Sequence, residues 1–272
     1  MPEAETVDLR AVTQVQQEIW SEGDFSRIGA LAVIVAENLC ETANVRAGER
    51  ALDVACGAGN GAIAAARRTW TPTVGLDYVP ALLERARERA AAERFEVEFV
   101  EGDAQEMPFD DESFDVVISI FGAMFAPDHQ RTANELLRVC RSGCRIAMAN
   151  WTPGGLVGTM FKTIAKHAPP PPGVAPPPLW GTRNHLEELF GDRISELRAE
   201  PRNMYMRAPS ADAWIEFFRT WFGPAKTAYE RVGPDGAEAL HSDTRDLLES
   251  FNTDERTLVA PSEYLEVVAV KA

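Results

Sequence analysis

Between residues 50 and 150, short runs of β-branched and other apolar residues alternate with stretches whose apolar residues recur at helical spacing. The runs are Ala51–Ala55, Thr73–Leu76, Val97–Val100, Asp115–Ile120 and Arg145–Ala149, and the helical stretches are 60–69, 79–92 and 129–140. Strands that alternate with helices usually lie parallel in one sheet, because each helix returns the chain to the same edge. The pattern therefore predicts an α/β fold, with a doubly wound, mostly parallel sheet that is covered on both faces.

The regions on either side of this alternation have a different character. Residues 9–44 are helical with a break at Ser21–Asp24, whereas the proline runs Pro169–Pro172 and Pro176–Pro178 exclude a helix or a central strand. We predict a helical N-terminal cap (1–45), a ligand-binding α/β core (46–150), lid and substrate-cap elements with a sixth strand at 194–207 (151–260), and a final strand of the core sheet (261–272).

The composition and the net charge of the chain disfavour several classes of binding partner. The chain of 272 residues carries a formal net charge of -15. Nucleic acids and anionic membrane surfaces are bound through clustered Lys and Arg, which this sequence lacks, so both are disfavoured. Its four cysteines lack the paired spacing of a zinc site, which indicates reduced thiols in a cytoplasmic protein. Residues 1–9 lack the apolar core of a signal peptide, and no apolar run reaches the ~18 residues of a membrane span.

A glycine-containing turn follows the first strand run and opens a helix. Gly57 and Gly59 permit a tight turn and the close approach of a ligand, and the helix N-terminus behind them suits an anion. With Ala62 they also satisfy the dinucleotide pattern G-x-G-x-x-G/A, which by itself is equally consistent with a plain strand–helix turn. Asp53 favours a different ligand, because its carboxylate would repel a pyrophosphate and attract an amino group or a sulfonium, unless it only caps the turn.

A second acidic residue ends the next strand run. Asp77 lies 20 positions after Gly57, where an acidic residue accepts both ribose hydroxyls in nucleotide-binding α/β units. It can also cap the helix that starts at Pro80, and the two roles are compatible. The segment Glu101–Gln105, after the third run, has polar side chains that could bond the exocyclic amine of adenine.

In their order and spacing, four segments resemble the class I S-adenosylmethionine (SAM)-dependent methyltransferases, especially the branch with ubiquinone/menaquinone-biosynthesis enzymes and bacterial small-molecule methyltransferases. They are Leu52–Gly59, Gly75–Leu83, Glu101–Val117 and Leu136–Arg145. The resemblance implies a seven-stranded Rossmann-like sheet with an antiparallel last strand, SAM as cofactor, and methylation of an oxygen, nitrogen or carbon atom of a small molecule. Ser142–Cys144 departs from the Pro-Gly-Gly turn that is usual before the fifth strand.

The resemblance also implies which residues contact the cofactor. Asp53 would hold the methionine amino group, and Asp77 would bind the ribose. The other implied contacts are Ala55, Gly57 and Gly59 along the cofactor, Tyr78 and Leu82 on the adenine ring, Gly102, Asp103 and Ala104 at the adenine edge, Ser119 and Phe121 beside the methyl group, and Trp20 with Asp24 closing over the site.

Methyl transfer from a sulfonium depends mainly on aligning the nucleophile and excluding water, so no catalytic triad is expected. Where the acceptor needs a base, His129 is the candidate, because it follows the fourth strand on the carboxyl side of the sheet. It could instead be a surface residue in a helical turn that Asp128 caps. The sequence predicts no metal site.

Several interpretations of the remaining sequence stay open. The aromatic residues Trp214, Phe217, Phe218, Trp221 and Phe222 recur at helical spacing and could form core, the wall of a substrate pocket or a homodimer face. The proline segment with Trp180 could be a lid, spanning 165–182. Two other functions share the fold: a nicotinamide-dependent oxidoreductase, which Asp53 disfavours, and a non-catalytic ligand-binding protein.

Overall fold

A sheet of seven strands forms the centre of the computed structural model, which describes residues 8–272; residues 1–7 of the predicted N-terminal cap lie outside the described residues. The strands are β1 (Ala51–Val54), β2 (Thr73–Asp77), β3 (Val97–Glu101), β4 (Phe114–Ile120), β5 (Cys140–Trp151), β6 (Ile194–Ala208) and β7 (Leu258–Lys271). They lie in the order β3-β2-β1-β4-β5-β7-β6, and β1 to β5 are parallel. The strand β7 runs antiparallel to both of its neighbours, β5 and β6, so the predicted fold class is confirmed.

Helices flank this sheet throughout the described part of the chain. They are α1 (Leu9–Ser21), α2 (Phe25–Gly29), α3 (Val33–Thr42), α4 (Asn60–Thr69), α5 (Pro80–Glu93), α6 (His129–Val139), α7 (Leu156–His167), α8 (Arg183–Phe190), α9 (Ala211–Trp221) and α10 (Gly223–Phe251). The predicted helices at 60–69, 79–92 and 129–140 correspond to α4, α5 and α6. The long helix α10 bends at Gly233, because that residue has a φ of 65° and a proline follows it.

Both faces of the sheet are buried. On one face, Leu39 of α3 and the alanines of α4 pack against Val116 and Ile118 of β4. On the other face, Leu136 of α6 belongs to the same apolar cluster as Val117. Because successive side chains of a strand point to opposite faces, β4 needs apolar residues on both, which explains the continuous apolar runs of the sequence.

Two strands are longer than the sequence predicts. β5 begins at Cys140 and β7 at Leu258, whereas the predicted strands begin at 145 and 261. A strand extends as far as its neighbour pairs with it, and β7 pairs with β6 along almost its whole length. The segment Ser142–Cys144 lies within β5, where Gly143 has a φ of 74°.

The N-terminal helices and the C-terminal cap meet beyond the carboxyl ends of the strands. The backbone N–H of Asp24, between α1 and α2, donates to the carbonyl of Trp221 at 3.0 Å, and Gly23 forms a single β-bridge with Phe222. Asp24 also caps α2, since its carboxylate accepts from the N–H of Ser26. Within residues 8–272, no helix combines the length and the apolar character that crossing a bilayer requires.

Candidate active site

The loops that follow β1 and β4 enclose a crevice where the strand order reverses. The sheet grows toward β2 and β3 on one side of β1 and toward β5 on the other, which is the position where α/β sheets bind ligands. The chain leaves β1 through Ala55, Gly57 and Gly59, all with positive φ, at 52°, 52° and 83°. This left-handed turn lets the backbone of the loop and the first residues of α4 lie along the crevice.

A cavity of about 920 Å³, including the open solvent at its mouth, occupies this crevice. Ten of the predicted contact residues line it. They are Trp20, Asp53, Ala55, Gly57, Asp77, Tyr78, Leu82, Asp103, Ala104 and Phe121. Residues that are far apart in the sequence, from α1 to the end of β4, therefore converge on one site, which we call the cofactor cavity.

The Asp53 carboxylate is buried in the wall of the cofactor cavity, with 1% of its surface exposed. Its Oδ2 accepts from the backbone N–H of Ala62 at 2.8 Å, whereas its buried Oδ1 has no hydrogen-bond partner among residues 8–272. Burial raises the pKa of this carboxyl from its ordinary value of 3.8 to about 7. A cation beside Oδ1 would supply the missing partner and favour the ionised form, so the site fits an ammonium group.

Gly61 keeps Asp53 in this position. A Cβ at Gly61 would lie 2.7 Å from the Asp53 Oδ2 and 2.5 Å from a methyl group of Ile120, so only glycine fits beneath the carboxylate. This role of Gly61 was not predicted, because the residue lies outside the two-glycine turn, although it is the next glycine along the chain.

The Asp77 carboxylate holds the glycine turn against the second strand. Its Oδ2 accepts from the backbone N–H of Gly57 at 2.8 Å and its Oδ1 accepts from that of Val79 at 2.9 Å. Burial raises the pKa of Asp77 to about 6, although both backbone hydrogen bonds oppose the rise. Each carboxylate oxygen has a second lone pair, so the pair can still accept two hydroxyl groups from the cavity side.

The loop after β3 completes the rim of the cofactor cavity together with α1. The Asp103 Oδ1 accepts from the backbone N–H of Gln105 at 2.8 Å. The Gln105 side-chain amide reaches the Oδ2 of Asp103 and the hydroxyl of Thr13 on α1, each at 3.0 Å. The side chain of Gln17, also on α1, donates to the backbone carbonyl of Tyr78. Side-chain hydrogen bonds thus hold α1 over the edge where the adenine contacts were predicted.

Four of the predicted contact residues do not line the cofactor cavity, and one of them is Asp24, which instead caps α2. A Cβ at Gly59 would lie 3.1 Å from the Cβ of Ala86, and one at Gly102 would lie 2.8 Å from a methyl of Leu76, so both glycines permit close packing. The hydroxyl of Ser119 donates to the carbonyl of Val54 at 2.8 Å and accepts from the N–H of Ala123 at 2.9 Å. Ser119 therefore joins the ends of β1 and β4 from behind the cavity.

His129 also lies away from the cofactor cavity. Its buried ring packs beside Trp180, and its Nδ1 is 3.0 Å from the Nε2 of His185 on α8. Burial, followed by the neighbouring His185, lowers the pKa of His129 to about 4. The structure does not bring this imidazole to the site where the methyl group was predicted, so its role as a base stays a prediction without support from the geometry. In the described part of the chain, no residue from 165 to 182 lines the cofactor cavity or the second cavity that is described below.

Four aromatic side chains lie between the cofactor cavity and a second cavity. Trp20, Phe25, Phe121 and Phe125, which we call the aromatic collar, line both cavities. The Trp20 ring lies edge-on to Phe25 at 5.2 Å and to Phe125 at 5.1 Å between centroids. The sequence analysis identified only Trp20 and Phe121, because Phe25 and Phe125 follow a helix break and a strand with no motif around them.

The second cavity continues beyond the aromatic collar into the C-terminal cap, and we call it the apolar cavity. It has about 1050 Å³, including open solvent. Its wall comes from α7, α9 and α10 and includes Trp214, Phe218 and Phe222. The aromatic residues at helical spacing thus contribute a pocket wall as well as core packing, and the arrangement provides one site for a cofactor beside one for an apolar molecule.

A search for metal-binding groups among residues 8–272 finds no cluster of three or more His, Cys, Asp or Glu that could hold an ion.

Comparisons with known proteins agree with this arrangement. Residues 52–148 match the family model described as a methyltransferase domain. An uncharacterised protein of Mycobacterium tuberculosis is 36% identical over 254 residues, which cover 92% of each chain. The demethylmenaquinone methyltransferase of Deinococcus radiodurans is 37% identical over 124 residues, which cover 44% of this chain and 52% of the relative. Among solved structures, the YcgJ protein from Bacillus subtilis has the same fold, with a TM-score of 0.63, 18% identity, and coverage of 87% of this chain and 97% of that one.

Proposed function

The chain belongs to the class I SAM-dependent methyltransferases, and on that premise we propose that it methylates a small, apolar acceptor that enters through the C-terminal cap. The observation that carries this proposal is the pair of adjoining cavities. One has a buried carboxylate oxygen without a partner in the described chain, and the other has an almost entirely apolar wall. The aromatic collar is the boundary that they share.

In this proposal the cofactor is oriented by its two polar ends. The Oδ1 of Asp53 accepts from the methionine ammonium, while Asp77 accepts from the ribose hydroxyls. Gly57 and Ala55 let the backbone lie against the cofactor, and Tyr78 and Leu82 enclose the adenine. Asp103 and Ala104 lie at the adenine edge, and Trp20 on α1 covers the site from outside.

When bound, SAM supplies an electrophilic methyl group on a cationic sulfur. The residues of the collar hold the acceptor in line with that methyl group and exclude water, since aligned reactants and a dry site account for most of the rate of such a transfer. Aromatic faces also attract a sulfonium, as they attract other cations. The acceptor in this scheme supplies its own nucleophile, since the apolar cavity has no histidine or carboxylate along its wall in residues 8–272.

The relatives support a small acceptor. The name of the Deinococcus radiodurans relative gives demethylmenaquinone as its acceptor. We extend to this chain only the size class, a small molecule, because the identity to that relative covers less than half of this chain. We further propose a cytoplasmic protein without nucleic-acid partners, in keeping with free cysteines and the net charge of -15, and a homodimer is the oligomeric state to test first.

Calorimetric titration of the purified protein with SAM, S-adenosylhomocysteine (SAH) and NADH tests the proposed function. We expect the first two to bind and NADH not to bind, because a pyrophosphate would lie near the Asp53 carboxylate. The variant Asp77→Ala should lose affinity for both SAM and SAH. Failure of the wild-type protein to bind either one, or tighter binding of NADH, would refute the proposal.

A further inference from the structure

Two side chains that line the apolar cavity carry buried hydrogen-bond donors without a partner among residues 8–272. The indole Nε1 of Trp214 and the hydroxyl of Tyr229 are both buried, and neither has a hydrogen-bond partner in residues 8–272. Both side chains line the apolar cavity, and Trp214 is 5% exposed. An unpaired buried donor lowers stability, so two of them on the wall of one cavity mark a place where a bound molecule could accept hydrogen bonds.

The wall of the cavity has one more side chain that carries an oxygen atom among the described residues, Thr244. Its hydroxyl donates to the carbonyl of Leu240 at 2.7 Å and accepts from neither of the two donors. No Asp, Glu, Lys, Arg or His lines this cavity within the described residues. A bound molecule would therefore meet two neutral donors in a site that penalises any charge.

Both donors keep their hydrogens at physiological pH. An indole N–H does not ionise in this range, and burial raises the pKa of the Tyr229 phenol. The Arg219 guanidinium lies over the Tyr229 ring at 4.8 Å from its centroid, which polarises the phenol without occupying its hydroxyl. The indole N–H can be satisfied only by an acceptor of hydrogen bonds, such as an oxygen atom, and the phenol hydroxyl can donate to an acceptor as well.

Trp214 lies deeper in the cap than the aromatic collar. From Trp20 of the collar, ring contacts lead through Phe222 at 5.5 Å and Phe218 at 5.7 Å to Trp214, which stacks on Phe218 at 3.8 Å. Two rings thus separate Trp214 from the collar. An oxygen bound by Trp214 belongs to a part of the acceptor that is remote from the methylated atom.

Building on the proposed function, we infer that the methyl acceptor is an uncharged, largely apolar molecule with a hydrogen-bond-accepting oxygen remote from its nucleophile, and that Trp214 and Tyr229 bind this oxygen. These two residues are positioning residues that select the acceptor, and they take no part in the transfer of the methyl group.

Three two-ring probes of the same skeleton test this inference by equilibrium dialysis against the SAH-saturated protein. Benzophenone carries a carbonyl oxygen, diphenylmethane lacks it, and 4-benzoylbenzoate adds a charge. We expect benzophenone to bind about tenfold more tightly than diphenylmethane, the effect of about one hydrogen bond, and 4-benzoylbenzoate to bind at least tenfold more weakly than benzophenone.

The double variant Trp214→Phe/Tyr229→Phe keeps both rings and removes both donors. It should bind SAH as the wild type does, which shows that it is folded, and its preference for benzophenone over diphenylmethane should fall below threefold. The matched control Trp70→Phe/Tyr205→Phe changes residues that are 87% and 49% exposed and lie outside the apolar cavity, and it should keep the wild-type preference.

The outcomes separate the inference from the proposed function. If SAH binds and the double variant discriminates between the probes as well as the wild type does, or the charged probe binds as tightly as benzophenone, the inference is wrong and the proposed function stands. If the wild type does not bind SAH, the proposed function is wrong and the inference falls with it.

Discussion

At the scale of single residues, the site depends on placing charges where water cannot reach them. Asp53 and Asp77 are almost fully buried, and burial raises the pKa of both. A carboxylate in such a place is stabilised when a ligand brings a cation or hydroxyl donors. The two residues that we propose to bind the cofactor therefore lower the stability of the free protein near neutral pH, and we expect ligand binding to restore it.

Replacing Asp53 by Asn tests this relation. The pKa of Asp53 is about 7 in the folded chain, against an ordinary value of 3.8. The contribution of Asp53 to the stability of the free protein is therefore complete below about pH 3.8 and is lost as the pH rises through 7. We expect Asp53→Asn to raise the Tm of the free protein more at pH 8 than at pH 5. The variant should also bind SAM at least tenfold more weakly at pH 8.

The pH dependence of SAM binding gives the control. Wild-type affinity should fall as the pH falls below about 7, since the ammonium of SAM needs the ionised carboxylate. In Asp53→Asn this fall should be much smaller, because the amide does not titrate. Parallel pH profiles for the two proteins in calorimetric titrations would show that Asp53 is not the ammonium partner.

The contribution of His129 to stability depends on pH in the opposite direction to that of Asp53. Because burial lowers its pKa from 6.5 to about 4, its stabilising effect is present above about pH 6.5 and is lost as the pH falls toward 4, where the unfolded chain takes up the proton first. We expect His129→Gln to unfold less steeply with acid than the wild type between pH 6.5 and 4. Thermal denaturation across that pH range measures how steeply each protein loses stability.

The same His129→Gln variant tests the predicted base. Its SAM affinity should be unchanged, since His129 does not line the cofactor cavity. A large loss of turnover at unchanged SAM affinity would support a catalytic base, whereas unchanged turnover would remove His129 from the mechanism. His167→Gln is the matched control, because His167 forms an exposed pair with Asp243 outside both cavities.

At the scale of secondary-structure elements, two loops depend on each other. Gly122, in the loop after β4, packs on the loop after β1, and a Cβ there would lie 2.4 Å from the carbonyl oxygen of Ala55. Since Gly122 has a φ of -114°, a side chain would not strain its own backbone, and the whole effect of a substitution comes from the contact. The shape of the glycine turn therefore depends on the loop from β4.

We expect Gly122→Ala to push the Ala55 backbone into the cofactor cavity. SAM affinity should fall by tenfold or more, and the free energy of unfolding should drop by about 1–3 kcal/mol, as for other overpacked sites. Gly154→Ala is the control, because a Cβ at Gly154 would have nothing within 4 Å. Equal SAM affinities of the two variants in calorimetric titrations would contradict this account.

Local sequence signals at the ends of the strands explain why part of the site could be predicted. The carboxyl ends of β1 to β3 carry local signals, glycines and acidic residues at fixed offsets, so Asp53, Asp77 and Asp103 could be placed on one edge. Phe25 and Phe125 carry no such signal, because tertiary packing alone brings them to Trp20. The position of a helix start, which suggested the base at 129, does not fix where its side chains point.

At the scale of the whole molecule, Trp20 connects the three parts of the chain. It lies on α1, contacts Phe125 from the core and Phe222 from the C-terminal cap, and lines both cavities. No residue of α1 is fully buried, so the helix is held mainly by side-chain hydrogen bonds and by this ring. A ligand that binds in one cavity and fixes the position of α1 should therefore raise the affinity of the other cavity for its own ligand. By thermodynamic linkage, each ligand must raise the affinity for the other by the same factor.

The predicted coupling is positive and passes through Trp20. SAH should raise the affinity of the wild type for benzophenone about fivefold or more, the lower end of typical couplings between sites. In Trp20→Ala the benzophenone affinity should become nearly independent of SAH, whereas Trp70→Ala, which changes a ring that is 87% exposed, should leave the coupling intact. Equilibrium dialysis of benzophenone with and without SAH gives all the affinities that are needed. If SAH leaves the wild-type affinity unchanged, the two cavities bind independently, because a ring shared by two sites transmits free energy only when both ligands depend on its position.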